Sequence, residues 1–242
     1  MRAWLVKQFK DTLRKSGRVI VPVDEYEESI QKGRYNWLRQ MNIQTILDVG
    51  ASDGGYARKI RQILPNAMIH SFEILPDSFE ALNKRQSTDK YFKSYQIALS
   101  TYKGEIEFFR SGNSGSSSLL EMAELHKTSY PQSKNIQKIK VACDRLDNII
   151  TTDVLKPNVL LKLDVQGAEK IVLEGATGIL DKVNIIYSEI NFQELYIGAV
   201  LIDDLMKYLE KFNYRLTGIE NVSQSLADGT FLQADAYFTK IS

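Results

Sequence analysis

Apolar runs and amphipathic segments alternate along the chain from residue 45 onward. The apolar runs have the length of buried strands, while the segments between them place apolar side chains at helical spacing. Strands that alternate with helices at this interval indicate βαβ units and a parallel sheet. The predicted strands are 45–49, 68–73, 91–99, 159–165 and 183–190. The predicted helices are 56–64, one that begins at 76, 169–173 and 201–212.

The alternation stops between about residues 105 and 143 and changes again near the C-terminus. Irregular stretches of this length in compact domains are typical of lids and binding loops. Two further strands, at 214–219 and 234–239, flank the turn Ala-Asp-Gly-Thr and predict a terminal strand pair. The elements predicted within the irregular stretch are an edge strand at 104–110, a loop of small polar residues at 111–118, a helical patch at 119–126 and a strand at 136–143.

The first 44 residues predict a helical extension that precedes the sheet. Leu5, Phe9 and Leu13 recur at i, i+4 and i+8, and basic residues surround them. Such a helix either packs on its own domain, pairs with a second subunit in a homodimer, or makes a peripheral contact with an anionic membrane. No apolar run approaches the ~18 residues of a membrane span, and the N-terminus lacks the apolar core of a secretory signal. The basic residues are Arg2, Lys7, Lys10, Arg14 and Lys15.

Composition narrows the class of protein. The chain has 242 residues, of which 43% are hydrophobic and 25% charged, and these values fit a single α/β domain with a short appendage. Its 31 basic and 30 acidic side chains give a net charge of +1, which argues against a dedicated nucleic-acid-binding protein. Cys143 is the single cysteine, so no intrachain disulfide can form. This favours a reducing compartment, and we expect a cytoplasmic location. We expect the Cys143 thiol to be buried and structural.

The segment Gly50-Ala51-Ser52-Asp53-Gly54 matches two unrelated patterns. It fits G-x-S-x-G, the turn that presents a serine nucleophile in α/β-hydrolases. It also forms a glycine-rich turn between a strand and a helix, where nucleotide cofactors bind. A hydrolase needs several strands before the serine, whereas a single predicted strand precedes Ser52. The two histidines complete no triad, since His70 lies in the next strand and His126 in the insertion. We therefore interpret the turn as a cofactor-binding loop.

An acid at the end of the second strand supports this interpretation. Glu73 lies 19 residues after Gly54, where a carboxylate is expected to accept hydrogen bonds from both ribose hydroxyls. The turn lacks the G-x-G-x-x-G spacing, which disfavours a nicotinamide dinucleotide, and the nearby Asp48 suits the cationic groups of S-adenosylmethionine. We therefore predict S-adenosylmethionine as the cofactor. The residues predicted to bind it are Asp48, Gly50, Ala51, Ser52, Gly54, Tyr56, Glu73, Ile74 and Ala98.

A second block of sequence follows the strand at 159–165. The segment LLKLDVQGAEKIVLEGA, together with LDVGASDGGYA, FEILPDSFEALNK and YSEIN, resembles the FkbM family of S-adenosylmethionine-dependent methyltransferases over roughly residues 45–192. The resemblance implies an α/β fold with a Rossmann-like class I methyltransferase sheet, mostly parallel with an antiparallel terminal strand and helices on both faces. The N-terminal helical extension is then 1–44, and the methyltransferase domain is 45–242 with an insertion at about 105–143. The family resemblance further implies O-methylation of a hydroxyl on a sugar, glycan or polyketide-type small molecule.

Three carboxylates are predicted to be catalytic. Asp164 ends a central strand and is the first choice for a general base or metal ligand, and Glu189 lies near the end of the next strand. Glu169 opens a helix and is either catalytic or a partner of the helix dipole. His126 is either a general base or a surface histidine. No spacing requires a metal, although carboxylates at the site can recruit Mg²⁺. A cofactor-binding scaffold without turnover and an NAD-dependent oxidoreductase stay open as alternatives.

Overall fold

The computed structural model describes residues 2–20, 22, 33 and 35–241. The chain divides into two compact units, residues 1–41 and 42–242. The first unit contains the helices α1 (Arg2–Lys15) and α2 (Asn36–Gln40), and α1 lies where the spacing of apolar residues predicts a helix. Within the predicted extension, residues 1, 21, 23–32 and 34 lie outside the described residues.

The second unit follows the predicted alternation of strands and helices. Its strands are β1 (Thr45–Val49), β2 (Met68–Glu73), β3 (Phe92–Gln96), β4 (Ala98–Leu99), β5 (Gly104–Ser111), β6 (Ile136–Asp144), β7 (Val159–Leu163), β8 (Val183–Asn191), β9 (Tyr214–Gln224) and β10 (Phe231–Lys240). Its helices are α3 (Gly55–Ile63), α4 (Pro76–Arg85), α5 (Glu124–Ser129), α6 (Leu146–Ile149), α7 (Glu169–Glu174) and α8 (Ile202–Glu210).

Seven of these strands form one sheet in the order β3-β2-β1-β7-β8-β10-β9. The strands from β3 to β8 are parallel, while β10 and β9 are antiparallel to their neighbours. The predicted mostly parallel sheet with an antiparallel terminal strand is therefore confirmed. The chain order reverses between β1 and β7, and ligands of open α/β sheets bind at the carboxyl ends of the strands beside such a reversal.

Burial accounts for the central position of β1 and β7. All five residues of each strand are buried, as expected for parallel strands covered on both faces. Leu47 and Leu161 point into the main apolar core, which also contains apolar side chains of α7 and α8. Because side chains alternate along a strand, Asp48 and Lys162 point to the opposite face, where the Tyr56 ring of α3 lies 5.5 Å from the Lys162 ammonium.

Two sequence-based predictions, one directly before the insertion and one within it, are wrong in their boundaries. The single strand expected at 91–99 is split, because Gln96 still pairs with β2 whereas Ala98 and Leu99 pair with β6 in a second sheet. The helical patch expected at 119–126 begins only at Glu124. Backbone bridges from Ser118 to Phe109 and from Met122 to Tyr196 keep the preceding residues extended.

The second sheet consists of three strands in the order β4-β6-β5. β5 lies at its edge, as its weak alternation predicts, and Cys143 on β6 is buried, as expected. Among the described helices, none has the length and apolar character needed to cross a bilayer.

Candidate active site

The turn after β1 is shaped by three residues with left-handed backbones. Gly50, Ser52 and Gly54 have φ angles of 74°, 49° and 82°. A Cβ at Gly50 would lie 1.9 Å from the carbonyl oxygen of Asp164, so the loops after β1 and β7 approach too closely for any side chain there. The glycine signal in the sequence therefore marks a contact between two loops at the carboxyl edge of the sheet.

Glu73 links the end of β2 to this turn. Its Oε2 accepts a hydrogen bond from the Ser52 backbone N–H at 2.7 Å, and its Oε1 accepts bonds from the N–H groups of Ile74 and Leu75 at 2.9 and 2.8 Å. Burial raises the pKa of Glu73, and the three N–H donors and Lys162 counteract this. A carboxylate oxygen accepts about two hydrogen bonds, so Oε2 retains one acceptor site for a ligand.

A cavity opens between these loops and the insertion. Its walls combine backbone of the turn, the Glu73 carboxylate, apolar side chains and the polar loop at Ser114–Ser117. Five of the predicted site residues line it, namely Gly50, Ser52, Glu73, Ile74 and Asp164. Seven others lie among the described residues but outside this lining, namely Asp48, Ala51, Gly54, Tyr56, Ala98, Glu169 and Glu189.

Asp48 pairs with a lysine that the sequence analysis missed. Its Oδ1 lies 3.3 Å from the Nζ of Lys162, the residue opposite it on β7, and its Oδ2 accepts a hydrogen bond from the Ser71 hydroxyl. Burial alone would lower the pKa of Lys162, but the carboxylates of Asp48 and Asp164 outweigh it and raise the pKa. Lys162 Nζ also donates to the Gly50 carbonyl at 2.7 Å. The pair therefore supports the turn from beneath the cavity.

Gln166 joins two of the predicted catalytic carboxylates. Its Nε2 donates to Asp164 Oδ1 at 3.0 Å and to Glu189 Oε2 at 3.1 Å. The Asp164 side chain is 46% exposed and lies 3.6 Å from Lys162 Nζ, whereas Glu189 is 8% exposed and also accepts a bond from Gln233. The structure thus brings Asp164 and Glu189 together through a side chain that the sequence analysis did not single out.

Glu169 supports the loop after β7. Its Oε1 accepts hydrogen bonds from the N–H groups of Val165 and Gly167 at 3.1 and 3.2 Å, and the residue is 1% exposed. Burial, partly opposed by these N–H donors, raises the pKa of Glu169 to about 7. Gln166 and Gly167 both have positive φ angles, so the loop makes a tight turn that the Glu169 carboxylate closes.

His126 is buried, so the prediction of a surface histidine is wrong. It is 2% exposed, its Nε2 lies 3.1 Å from the Tyr196 hydroxyl, and its ring contacts Tyr130. Tyr196 is itself 1% exposed and donates to Gln166 Oε1 at 2.8 Å. His70 is also buried, as expected for a core residue, and its Nδ1 bonds to the Tyr95 hydroxyl.

A metal site is not evident at this edge of the sheet. Within residues 2–20, 22, 33 and 35–241, no group of three or more His, Cys, Asp or Glu side chains is arranged to hold an ion. The carboxylates near Asp164 instead have nitrogen donors as neighbours, namely Lys162, Gln166 and Gln233.

Comparison with known proteins identifies the family and supports the fold. Residues 48–216 match the methyltransferase FkbM domain. The 2-O-methyltransferase NoeI of Sinorhizobium fredii is 30% identical over 173 residues, which cover 69% of this chain and 71% of NoeI. A methyltransferase FkbM crystal structure from Methylobacillus flagellatus shares the fold with a TM-score of 0.52 at 14% identity, over 81% of this chain and 43% of that one, so this chain spans less than half of that protein. The protein belongs to the FkbM family of methyltransferases.

Proposed function

We propose that this methyltransferase uses S-adenosylmethionine to methylate a hydroxyl group on a sugar, glycan or polyketide-type small molecule. The observation that carries the proposal is the cavity that joins Glu73, the glycine-rich turn and Asp164 at the reversal point of the sheet. The 30% identity with a 2-O-methyltransferase supports oxygen as the acceptor atom.

The residues around the cavity fit each part of the donor. Phe72, Leu75 and Leu99 provide an apolar wall suited to a purine ring. The remaining acceptor site on Glu73 Oε2 suits a ribose hydroxyl. The carboxylate of Asp164, which also lines the cavity, suits the positively charged sulfur, a charge that S-adenosylhomocysteine lacks.

The protein must orient the acceptor oxygen and remove its proton. When bound, S-adenosylmethionine supplies a methyl group already activated by a positive sulfur. Asp164 is the carboxylate best placed to accept the proton, because it lines the cavity and is accessible to a second ligand. Gln166 and Lys162 restrict its orientation. A well-placed base accelerates such a step by roughly 10²–10⁴-fold.

The partner that follows from this proposal is a small hydroxylated acceptor. Charges of both signs nearly cancel over the chain, which gives no support for a nucleic-acid substrate. A cytoplasmic location remains a prediction, as does the alternative of a scaffold without turnover. Membership of a methyltransferase family argues against an NAD-dependent oxidoreductase.

Titration calorimetry with S-adenosylhomocysteine tests the donor site. We expect the wild type to bind and Glu73→Gln to bind at least about tenfold more weakly, since a charge-assisted hydrogen bond is lost. Glu105→Gln, at an exposed position on β5, is the matched control and should bind like the wild type. Absence of binding to the wild type would overturn the proposal, and NAD would then be titrated.

Methyl transfer to a panel of methyl glycosides, oligosaccharides and hydroxylated polyketides tests turnover. Asp164→Asn should bind S-adenosylhomocysteine within about threefold of the wild type but lose at least about 10²-fold in transfer rate. Donor binding by the wild type without transfer to any acceptor would favour the scaffold.

A further inference from the structure

Gln166 uses both N–H groups and one acceptor position of its side-chain amide. Nε2 donates both hydrogens, one to Asp164 and one to Glu189, while Oε1 accepts a bond from the Tyr196 hydroxyl at 2.8 Å. The backbone φ of Gln166 is 57°, a conformation that few side chains adopt without local compensation. The amide therefore sits between two acids and one buried phenol.

The direction of this amide decides whether the two acids are stabilised or repelled. In the observed orientation the amide nitrogen faces Asp164 and Glu189. A rotation by half a turn would point Oε1 at both carboxylates and leave the Tyr196 hydroxyl opposite an N–H group. Tyr196 selects the first orientation because its hydroxyl donates to Oε1.

His126 fixes the Tyr196 hydroxyl in turn. A phenol has one hydrogen to donate. The Tyr196 hydroxyl lies 2.8 Å from Gln166 Oε1 and 3.2 Å from the Ser116 carbonyl oxygen, and we assign the hydrogen to the shorter contact. His126 Nε2, at 3.1 Å, is then the protonated ring nitrogen that donates to Tyr196. Burial lowers the pKa of His126, which keeps the ring neutral, and Nδ1 has no hydrogen-bond partner among the described residues. Both side chains are at least nine-tenths buried.

We propose that Tyr196, oriented by His126, is a positioning residue for methyl transfer: it fixes the Gln166 amide so that its two N–H groups hold Asp164 and Glu189 in one arrangement beside the cavity. This inference rests on the proposed function of Asp164. It also gives the insertion a role, because His126 lies on α5 within it.

The pH dependence of Glu189 provides a readout that a purely structural tyrosine would not change. Burial raises the pKa of Glu189. Asp164, directly after β7, Glu169 on α7 and Asp235 on β10 raise this pKa further, whereas Lys162 on β7 lowers it. The Gln166 N–H donor favours the ionised form. Loss of the amide orientation should therefore raise the pKa of Glu189 again.

Tyr196→Phe removes the hydroxyl and keeps the ring. Its matched control is Tyr130→Phe. This variant removes a hydroxyl from the same group of contacting rings, but that hydroxyl bonds to Ser223 instead of Gln166. We expect Tyr196→Phe to lower kcat about tenfold, as for loss of a strong hydrogen bond. Its KM and its affinity for S-adenosylhomocysteine should stay within about twofold of the wild-type values. The Glu189 carboxyl ¹³C signal should titrate about one pH unit higher than in the wild type, and Tyr130→Phe should behave like the wild type.

A double-mutant cycle tests whether Tyr196 acts through Gln166. In a Gln166→Met background, Tyr196→Phe should cause no further loss of kcat, because the amide it orients is absent. Equal effects of Tyr196→Phe and Tyr130→Phe, or additive effects of Tyr196→Phe and Gln166→Met, would overturn the inference.

The Gln166 side-chain amide can also be observed without turnover. Its ¹⁵N–¹H signals are identified by their loss in Gln166→Met, and in the wild type they should shift as Glu189 titrates. We expect that response to disappear in Tyr196→Phe and to persist in Tyr130→Phe. An unchanged response in Tyr196→Phe would overturn the inference even if no acceptor is methylated, whereas failure of the proposed function would appear only as absent donor binding or transfer.

Discussion

Glu169 shows how a single buried acid is kept in place by backbone groups. Its Oε1 accepts two N–H bonds from the loop after β7, but its Oε2 is buried without a partner among the described residues. Burial, opposed in part by those N–H donors, raises its pKa to about 7. This arrangement is that of a structural residue that closes a turn, although the position in the sequence predicts catalysis equally well.

Glu169→Gln separates the two roles. The ordinary pKa of a glutamate is 4.5, and that of Glu169 in the folded protein is about 7. Between these two pH values the folded protein holds a proton on Glu169 and the unfolded chain does not. The free energy of unfolding therefore falls as pH rises through this range. Glutamine keeps an acceptor for Val165 and Gly167 and carries no charge. We expect Glu169→Gln to melt at a higher temperature than the wild type at pH 8, by about 2–4 °C for each kcal/mol gained. We also expect its melting temperature to change less between pH 5 and pH 8 than that of the wild type.

Calorimetric melting at several pH values checks this expectation. Glu174→Gln, at the half-exposed end of the same helix, is the control and should leave the pH dependence unchanged. If Glu169→Gln melts like the wild type at every pH but loses methyl transfer, the catalytic assignment of Glu169 is favoured over the structural one.

At the scale of elements, an ion pair crosses between the two central strands. Asp48 on β1 is fully buried and lies opposite Lys162 on β7, whose side chain is 6% exposed. Removing one member of such a pair leaves an uncompensated charge in the interior, and this typically costs about 3–5 kcal/mol. Replacing both members with neutral groups of similar size is often close to neutral.

Lys162→Met should therefore lower the free energy of unfolding by about 3–5 kcal/mol, and Asp48→Asn combined with Lys162→Met should recover most of that loss. The double variant still lacks the hydrogen bond from Lys162 to the Gly50 carbonyl, so its affinity for S-adenosylhomocysteine should remain reduced. Chemical denaturation and calorimetry measure the two effects. A double variant as unstable as Lys162→Met would contradict the role given to the pair.

This pair also marks the limit of what the sequence predicts. Lys162 and Asp48 each interrupt an apolar run, which signals a buried charge that needs a partner. The partner becomes known only with the strand order, because the two residues are 114 positions apart. Local spacing predicted β1, β2, β7 and β8 well, since their apolar runs are continuous. Local spacing did not predict the break at Ile97, which separates β3 in the seven-stranded sheet from β4 in the three-stranded sheet.

The sequence predicted those parts of the candidate site that belong to local patterns, but not those that depend on long-range contacts. Gly50, Ser52, Glu73 and Asp164 belong to local patterns, and all four line the cavity. Gln166 lies inside a recognised block, but its role depends on Tyr196 and His126, which arrive from a loop after β8 and from the insertion. No local signal connects these segments, because burial and long-range contact alone bring them together.

At the scale of the whole molecule, positive charge is concentrated at the N-terminus. Residues 2–18 contain six basic side chains and one acidic one, whereas the whole chain carries a net charge of +1, so the remainder is net negative by 4. Val6 and Phe9 on α1 are 54% and 59% exposed. An amphipathic helix with this charge is suited to an anionic membrane surface, while a dimer contact would bring two clusters of like charge together.

We expect the protein to bind vesicles that contain anionic lipids and not to bind neutral vesicles. Binding should weaken as the salt concentration rises, because exposed charges are screened. Lys10→Glu combined with Arg14→Glu should abolish sedimentation with the vesicles, and Phe9→Ser should weaken it through loss of apolar contact. The control, Lys182→Glu with Lys211→Glu, changes the net charge equally at exposed positions outside α1 and should leave binding intact. Equal loss in the control would mean that total charge governs binding. A dimer in solution that Phe9→Ser converts to a monomer, without any vesicle binding, would assign α1 to the subunit interface instead.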